Sequence, residues 1–157
     1  MKSASISEIK KELQTLSPSM VEEYCMRLAK YKKENKELLN YLLFEADDEE
    51  TFIKNLKTEV DIQFEEMNKT TIYFAKKSIR KILRNVNKHI KFSGKPQTAA
   101  ELLIYFCATL KSSGISINTS TALMNLYESQ LKKINKVIET MHEDLQYDYR
   151  KLLEELN

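Results

Sequence analysis

An all-α fold follows from three features of the chain. It holds only two glycines and two prolines in 157 residues, where average usage would supply about ten glycines, so few tight turns and few β-hairpins can be built. Apolar residues recur every three to four positions over most of the length, the period of a helix with one covered face. Serine, threonine or aspartate, the residues that cap helix starts, stand ahead of several of these stretches. The sequence therefore predicts six or seven helices in a single helical domain spanning residues 1–157. Two arrangements suit them: a short array of antiparallel helix pairs (a HEAT-like α-α superhelix), or a closed multihelical bundle. Helices of unequal length joined by very short connections favour the array.

The first helix is expected from Ser5 to Leu16, with Ser5 and Glu8 as a capping box and Ile6, Ile9, Leu13 and Leu16 as its buried stripe. Ser17-Pro18 restarts the chain, since proline suits a first helical turn, and Val21, Tyr24, Cys25, Leu28 and Tyr31 continue at helical spacing to an end near Lys33. Residues 37–46 are apolar on nearly every side and rich in leucine, which favours helix over strand. A helix wet on one face would not carry so many apolar groups, so this one is expected at the centre with Leu39, Leu42 and Leu43 deeply buried.

The acidic run Asp47 to Glu50 suits the positive end of the next helix dipole, and Phe52, Ile53, Leu56, Val60, Phe64 and Met67 follow it at helical spacing. A further helix carries Ile72, Ala75, Ile79, Ile82, Leu83, Val86 and Ile90 until Ser93-Gly94 stops it. Thr98 and Glu101 are expected to box the start of another, which Gly114 ends. The last segment, Thr119 to Asn157, has no glycine or proline. Its apolar positions from Leu131 to Leu156 are seven steps covering 25 residues, the spacing of a nearly straight helix. Unbroken, it would reach roughly 55 Å against about 40 Å for the diameter of a compact globule of this size. It must bend, break, protrude or pair, and pairing would make a homodimer through this C-terminal helix.

Composition narrows the function classes. Apolar residues make up 42% of the chain, enough for a core that needs neither metal nor disulfide. Residues 1–8 lack a secretory h-region, and the longest nearly apolar stretch, Leu102 to Ala108, is too short to span a bilayer, so a cytoplasmic protein without membrane partners is expected. Cys25 and Cys107 each sit in a helical apolar pattern and are expected buried and reduced. Asn68-Lys69-Thr70 and Asn118-Thr119-Ser120 match the glycosylation acceptor pattern but read more simply as helix-start residues.

Catalytic and metal-binding patterns are weak. Glu139, His142 and Glu143 give the Glu-x-x-His spacing of a carboxylate-bridged metal pair, but that architecture needs the motif twice, and His89 is preceded three residues earlier by Val86. There is no nucleophile elbow and no phosphate-binding glycine loop. The chain is thus read as a non-enzyme with no metal and no cofactor.

Charge, by contrast, is segregated. From Lys69 to Ala100 there are nine basic residues and no acidic one, while Glu45 to Glu66 holds nine acidic residues against Lys54 and Lys57. On a helical wheel at about 100° per residue, Lys69, Lys76, Lys77, Arg80, Lys81, Arg84, Lys88 and Lys91 fall within an arc of roughly 140°, opposite the apolar face, with Tyr73 in its middle. Such a strip suits an acidic protein partner or, alternatively, nucleic acid or another polyanion. The competing reading is a solvated face, or one partly neutralised by the neighbouring acidic helix. A net charge of +2 and the scarcity of arginine favour a protein partner, and hence an interaction or adaptor module.

Overall fold

The computed structural model describes residues 2–156, and among them it contains eight α-helices and no strand. The chain clusters into two compact units, Met1–Phe44 and Glu45–Asn157.

The first unit holds α1 (Ile6–Thr15), α2 (Pro18–Tyr31) and α3 (Lys33–Asn40), and α3 runs into a π-helical turn, Tyr41–Glu45. Local chemistry sets the starts. The Ser5 hydroxyl accepts from the Glu8 amide while the Glu8 carboxylate accepts from the Ser5 amide, so the expected capping box is present. Ser17 caps α2 and Pro18 occupies its first turn.

Burial in this unit departs from expectation. Tyr41 is its one buried side chain among the described residues. Ile6, Ile9 and Leu13 are exposed and Leu16 is half-buried, so the α1 stripe is not covered. Leu42 and Leu43 are 56% and 60% exposed and Leu39 is half-buried, so the deep burial expected of all three is not found. Three helices of 10, 14 and 8 residues are too short to enclose a core of their own; side-chain caps start α1 and α2, while α3 begins at Lys33 with no side-chain cap. Cys25 lies on α2, which has no buried residue, and is exposed where burial was expected.

The second unit is built around α6 (Pro96–Ser112), which packs against α4 (Glu49–Glu66), α5 (Ile72–Ser93), α7 (Thr121–Ile138) and α8 (Glu143–Glu154). Its buried residues, among them Leu102, Leu103, Phe106, Cys107 and Leu110, cover more than one side of the helix. Phe64 of α4 meets Phe106 with ring centroids 5.8 Å apart. Asp48 caps α4, and Gly94 ends α5 in the left-handed conformation at φ 67° that glycine adopts at no steric cost.

Thr98 and Glu101 do not box α6. Helix α6 starts at Pro96 after Lys95, and the Thr98 hydroxyl instead donates to the Glu49 carboxylate at 2.6 Å. Glu101 faces Lys57 at 3.2 Å and accepts from the Tyr149 hydroxyl at 3.0 Å. Tertiary partners have claimed both side chains. The C-terminal segment breaks between Ile138 and Glu143, which raises the helix count to eight. Neither glycine nor proline makes the break. Gln146 Nε2 donates to the Met141 carbonyl at 2.8 Å, and the His142 ring accepts from the Asp144 amide at 3.4 Å, so side chains satisfy the freed ends.

No helix among the described residues is long and apolar enough to cross a membrane. The two thiols differ sharply: Cys25 is exposed, whereas burial pushes the Cys107 thiol up to about 12. A thiol-reactive dye at neutral pH is therefore expected to label one cysteine per native chain, Cys25, and to reach Cys107 only in denaturant. Rapid labelling of both in the native protein would contradict the packing of α6.

Candidate functional site

Helix α5 places the charged strip. It runs unbroken from Ile72 to Ser93 and turns Ala75, Ile79, Ile82 and Val86 inward as its buried residues. The Thr71 hydroxyl caps its first turn by accepting from the Phe74 amide. With Ala75, Ile79, Ile82 and Val86 taken up by the core, the periodicity leaves Lys77, Arg80, Lys81, Arg84 and Lys91 exposed and Lys76 half-buried. Lys76 to Lys91 extends about 22 Å along the axis.

None of these six cations makes an ion pair with a carboxylate among the described residues. Lys88 is half-buried and not free. Lys69 stands apart. It lies in the turn before α5, where the helical wheel does not apply, and its ammonium donates to the Ser113 carbonyl at 3.1 Å, at the far end of α6.

Among the described residues the acidic helix forms no ion pair with these six cations, and several of its carboxylates are engaged elsewhere. Glu49 accepts from Ser93, Thr98 and Lys95. Asp61 accepts from the Tyr105 hydroxyl at 2.7 Å, and Glu59 accepts from Asn85 Nδ2 at 2.8 Å. The Asn85 contact forms one margin of the face, toward α4. On the other margin Lys133 of α7 donates to Asn87 Oδ1 at 2.6 Å. A shallow groove of about 630 Å³ follows the face between them, lined by Tyr73, Lys76, Lys77, Arg80, Leu83, Arg84 and Asn87.

Two aromatic rings stand at the α5 N-terminus. Tyr73 is 64% exposed, and Phe74, 42% exposed, meets it edge-on with centroids 5.4 Å apart. Phe74 was missing from the sequence-derived strip, although its wheel position at about 160° borders the basic arc. An aromatic pair thus stands beside cations that have no carboxylate partner among the described residues.

A second groove, about 620 Å³, lies among α4, α6 and α8 and gathers Lys57, Glu101, Tyr105 and Tyr149, but neither histidine. Its polar groups satisfy each other. Lys57 bridges to Glu101 and sits 5.4 Å from the Tyr105 ring centroid. Burial first, and then the Asp61 carboxylate, pushes the Tyr105 phenol up to about 12; burial and Glu101 do the same for Tyr149. Both phenols thus stay protonated donors at neutral pH, locked onto carboxylates.

The Glu-x-x-His spacing does not form a ligand pair. Glu139 ends α7, His142 caps α8 and Glu143 opens it, so the three do not share one helix. Among the described residues no group of three or more His, Cys, Asp or Glu side chains converges in a way that could hold a metal ion. Comparison with protein-family models, with curated proteins and with solved structures finds no match to this chain.

Proposed function

We propose that the chain is a non-enzymatic docking module, an adaptor or assembly component, that takes an acidic protein segment on the exposed face of α5. One observation carries the reading: six cations share a helix face without carboxylate partners, while nearby carboxylates of α4 are held by other side chains. Single exposed ion pairs are worth little, but a row of like charges raises the local potential, speeds encounter and sets register. A partner helix with acidic residues at i, i+4 spacing would match the repeat of Lys76, Arg80 and Arg84.

The same face supports nucleic-acid or other polyanion binding as the second reading. Tyr73, Phe74 and Leu83 favour a protein, because a phosphate backbone would leave these apolar groups unused. The position of α6 against four other helices supports a closed bundle over an array of antiparallel pairs as the scaffold, since stacked pairs touch only their neighbours.

Fluorescence anisotropy with two probes separates the readings. One is a glutamate-bearing helical peptide of about 17 residues, long enough to span the α5 face; the other is a DNA duplex of about 20 base pairs, titrated from about 50 to about 200 mM salt. Tighter binding of the peptide at physiological salt is the expected result. Tighter binding of the duplex, with affinity falling by orders of magnitude over that salt range, would favour the polyanion reading, and binding of neither would overturn both.

A further inference from the structure

The basic face does not end with α5. Where the α5–α6 turn meets α7 there is a depression of about 310 Å³, lined by Ile90, Pro96, Ala99 and Val137, with Lys95, Lys133 and Lys136 at its edge. Lys91 is close enough to Lys133 to repel it, and that repulsion, after burial, lowers the Lys133 ammonium from its ordinary value. Of these four lysines only Lys95 has a carboxylate partner among the described residues, Glu49 at 3.3 Å. An apolar depression edged by cations, with Lys91 and Lys133 close enough to interact, is matched by an apolar side chain flanked by carboxylates, which covers the oily surface and offsets the positive charge.

We propose that this depression is an anchor pocket for the acidic partner: one leucine-sized side chain at an end of the partner segment seats against Ile90, Pro96 and Val137, with its neighbouring carboxylates on Lys91, Lys133 and Lys136. The pocket rests on the reading of α5 as a docking face and adds its specificity. Cations select an acidic segment, and the pocket selects which one and in which register. Asn87 joins the two parts, since Lys133 reaches it from α7 while Asn87 itself lines the α5 groove. The separation of Tyr73 from Ile90, about 26 Å along the helix, sets the length of segment that would span both ends.

A double-mutant cycle tests the pocket. Glutamate-bearing peptides with a leucine at either end, and their Leu→Ala counterparts, are titrated against the native chain and against Val137→Asn, with circular dichroism confirming that the variant is folded. For one of the two peptide orientations the native chain should lose about tenfold in affinity on Leu→Ala, and Val137→Asn should lose almost nothing. Should Val137→Asn unfold, Lys136→Glu on the exposed rim replaces it, and a reduced affinity for the leucine peptide is expected there. Peptides that bind irrespective of the leucine would overturn the pocket while leaving the α5 reading intact. A leucine effect of equal size in native and Val137→Asn chains would place the anchor elsewhere. Failure of all peptides to bind would overturn the α5 reading and the pocket with it.

Discussion

Phe106→Ala is expected to destabilise the second unit by about 3–5 kcal/mol, the usual cost of removing a buried phenylalanine that neighbours cannot replace. Phe106 is fully buried on α6 and meets Phe64 of α4, and α6 is the helix that the other four share. A cavity there loosens several interfaces at once, and the melting midpoint should fall by about 15 °C. The informative control is Leu43→Ala. Leu43 also lies in a dense apolar run, but it is 60% exposed, and its truncation should change stability by no more than about 0.5 kcal/mol. Denaturation of both variants checks the assignment of the core to residues around α6, and comparable losses in the two would contradict it.

Reversing three charges on α5 should have the second large effect. In Lys77→Glu/Arg80→Glu/Arg84→Glu all three sites are exposed and none is ion-paired among the described residues, so the fold should survive with a change within about 1 kcal/mol. Each substitution removes an attraction and adds a repulsion toward an acidic partner. Affinity for the glutamate-bearing peptide should fall by at least about 100-fold at low salt, with the loss shrinking as the screening length drops from about 30 Å at 0.01 M to about 8 Å at 0.15 M salt. Retention of full affinity by the folded variant would show that the peptide binds somewhere else.

Helix starts and stops were largely legible in the sequence because they depend on local chemistry. Ser5 with Glu8, Ser17-Pro18, Asp48 and Gly94 all act within a few residues of their own positions. The direction of α5 was legible for the same reason, since its periodicity separates apolar from basic residues without reference to any other helix.

Burial was less legible. An apolar run such as Leu42-Leu43-Phe44 records how much cover a segment can use, not whether that cover is present, and these residues are 56–77% exposed. Thr98 and Glu101 have capping-box spacing, but a side chain can serve one set of partners, and Glu49, Lys57 and Tyr149 outcompete the local amides. The break before α8 carries no glycine or proline, because Gln146 and His142 supply its hydrogen bonds. Lys69 shares the strip only if α5 continues backward past its cap at Thr71, and there the chain has already left the helical path.

The candidate site shows the same division. Which residues share the α5 face follows from the period alone, whereas their freedom from ion pairs depends on where the carboxylates of α4 point, and the small pocket at Ile90 and Val137 joins residues from helices far apart in sequence.

Lysine acylation read by mass spectrometry, with and without a saturating glutamate-bearing peptide, tests the proposed docking face most directly. Lys76, Lys77 and Lys81 should react in the free protein and become protected in the complex, while exposed Lys10, Lys11 and Lys54 react equally in both. Unreactive α5 lysines in the free protein, or α5 lysines that stay as reactive when the peptide is bound, would contradict an open cationic face that holds the partner.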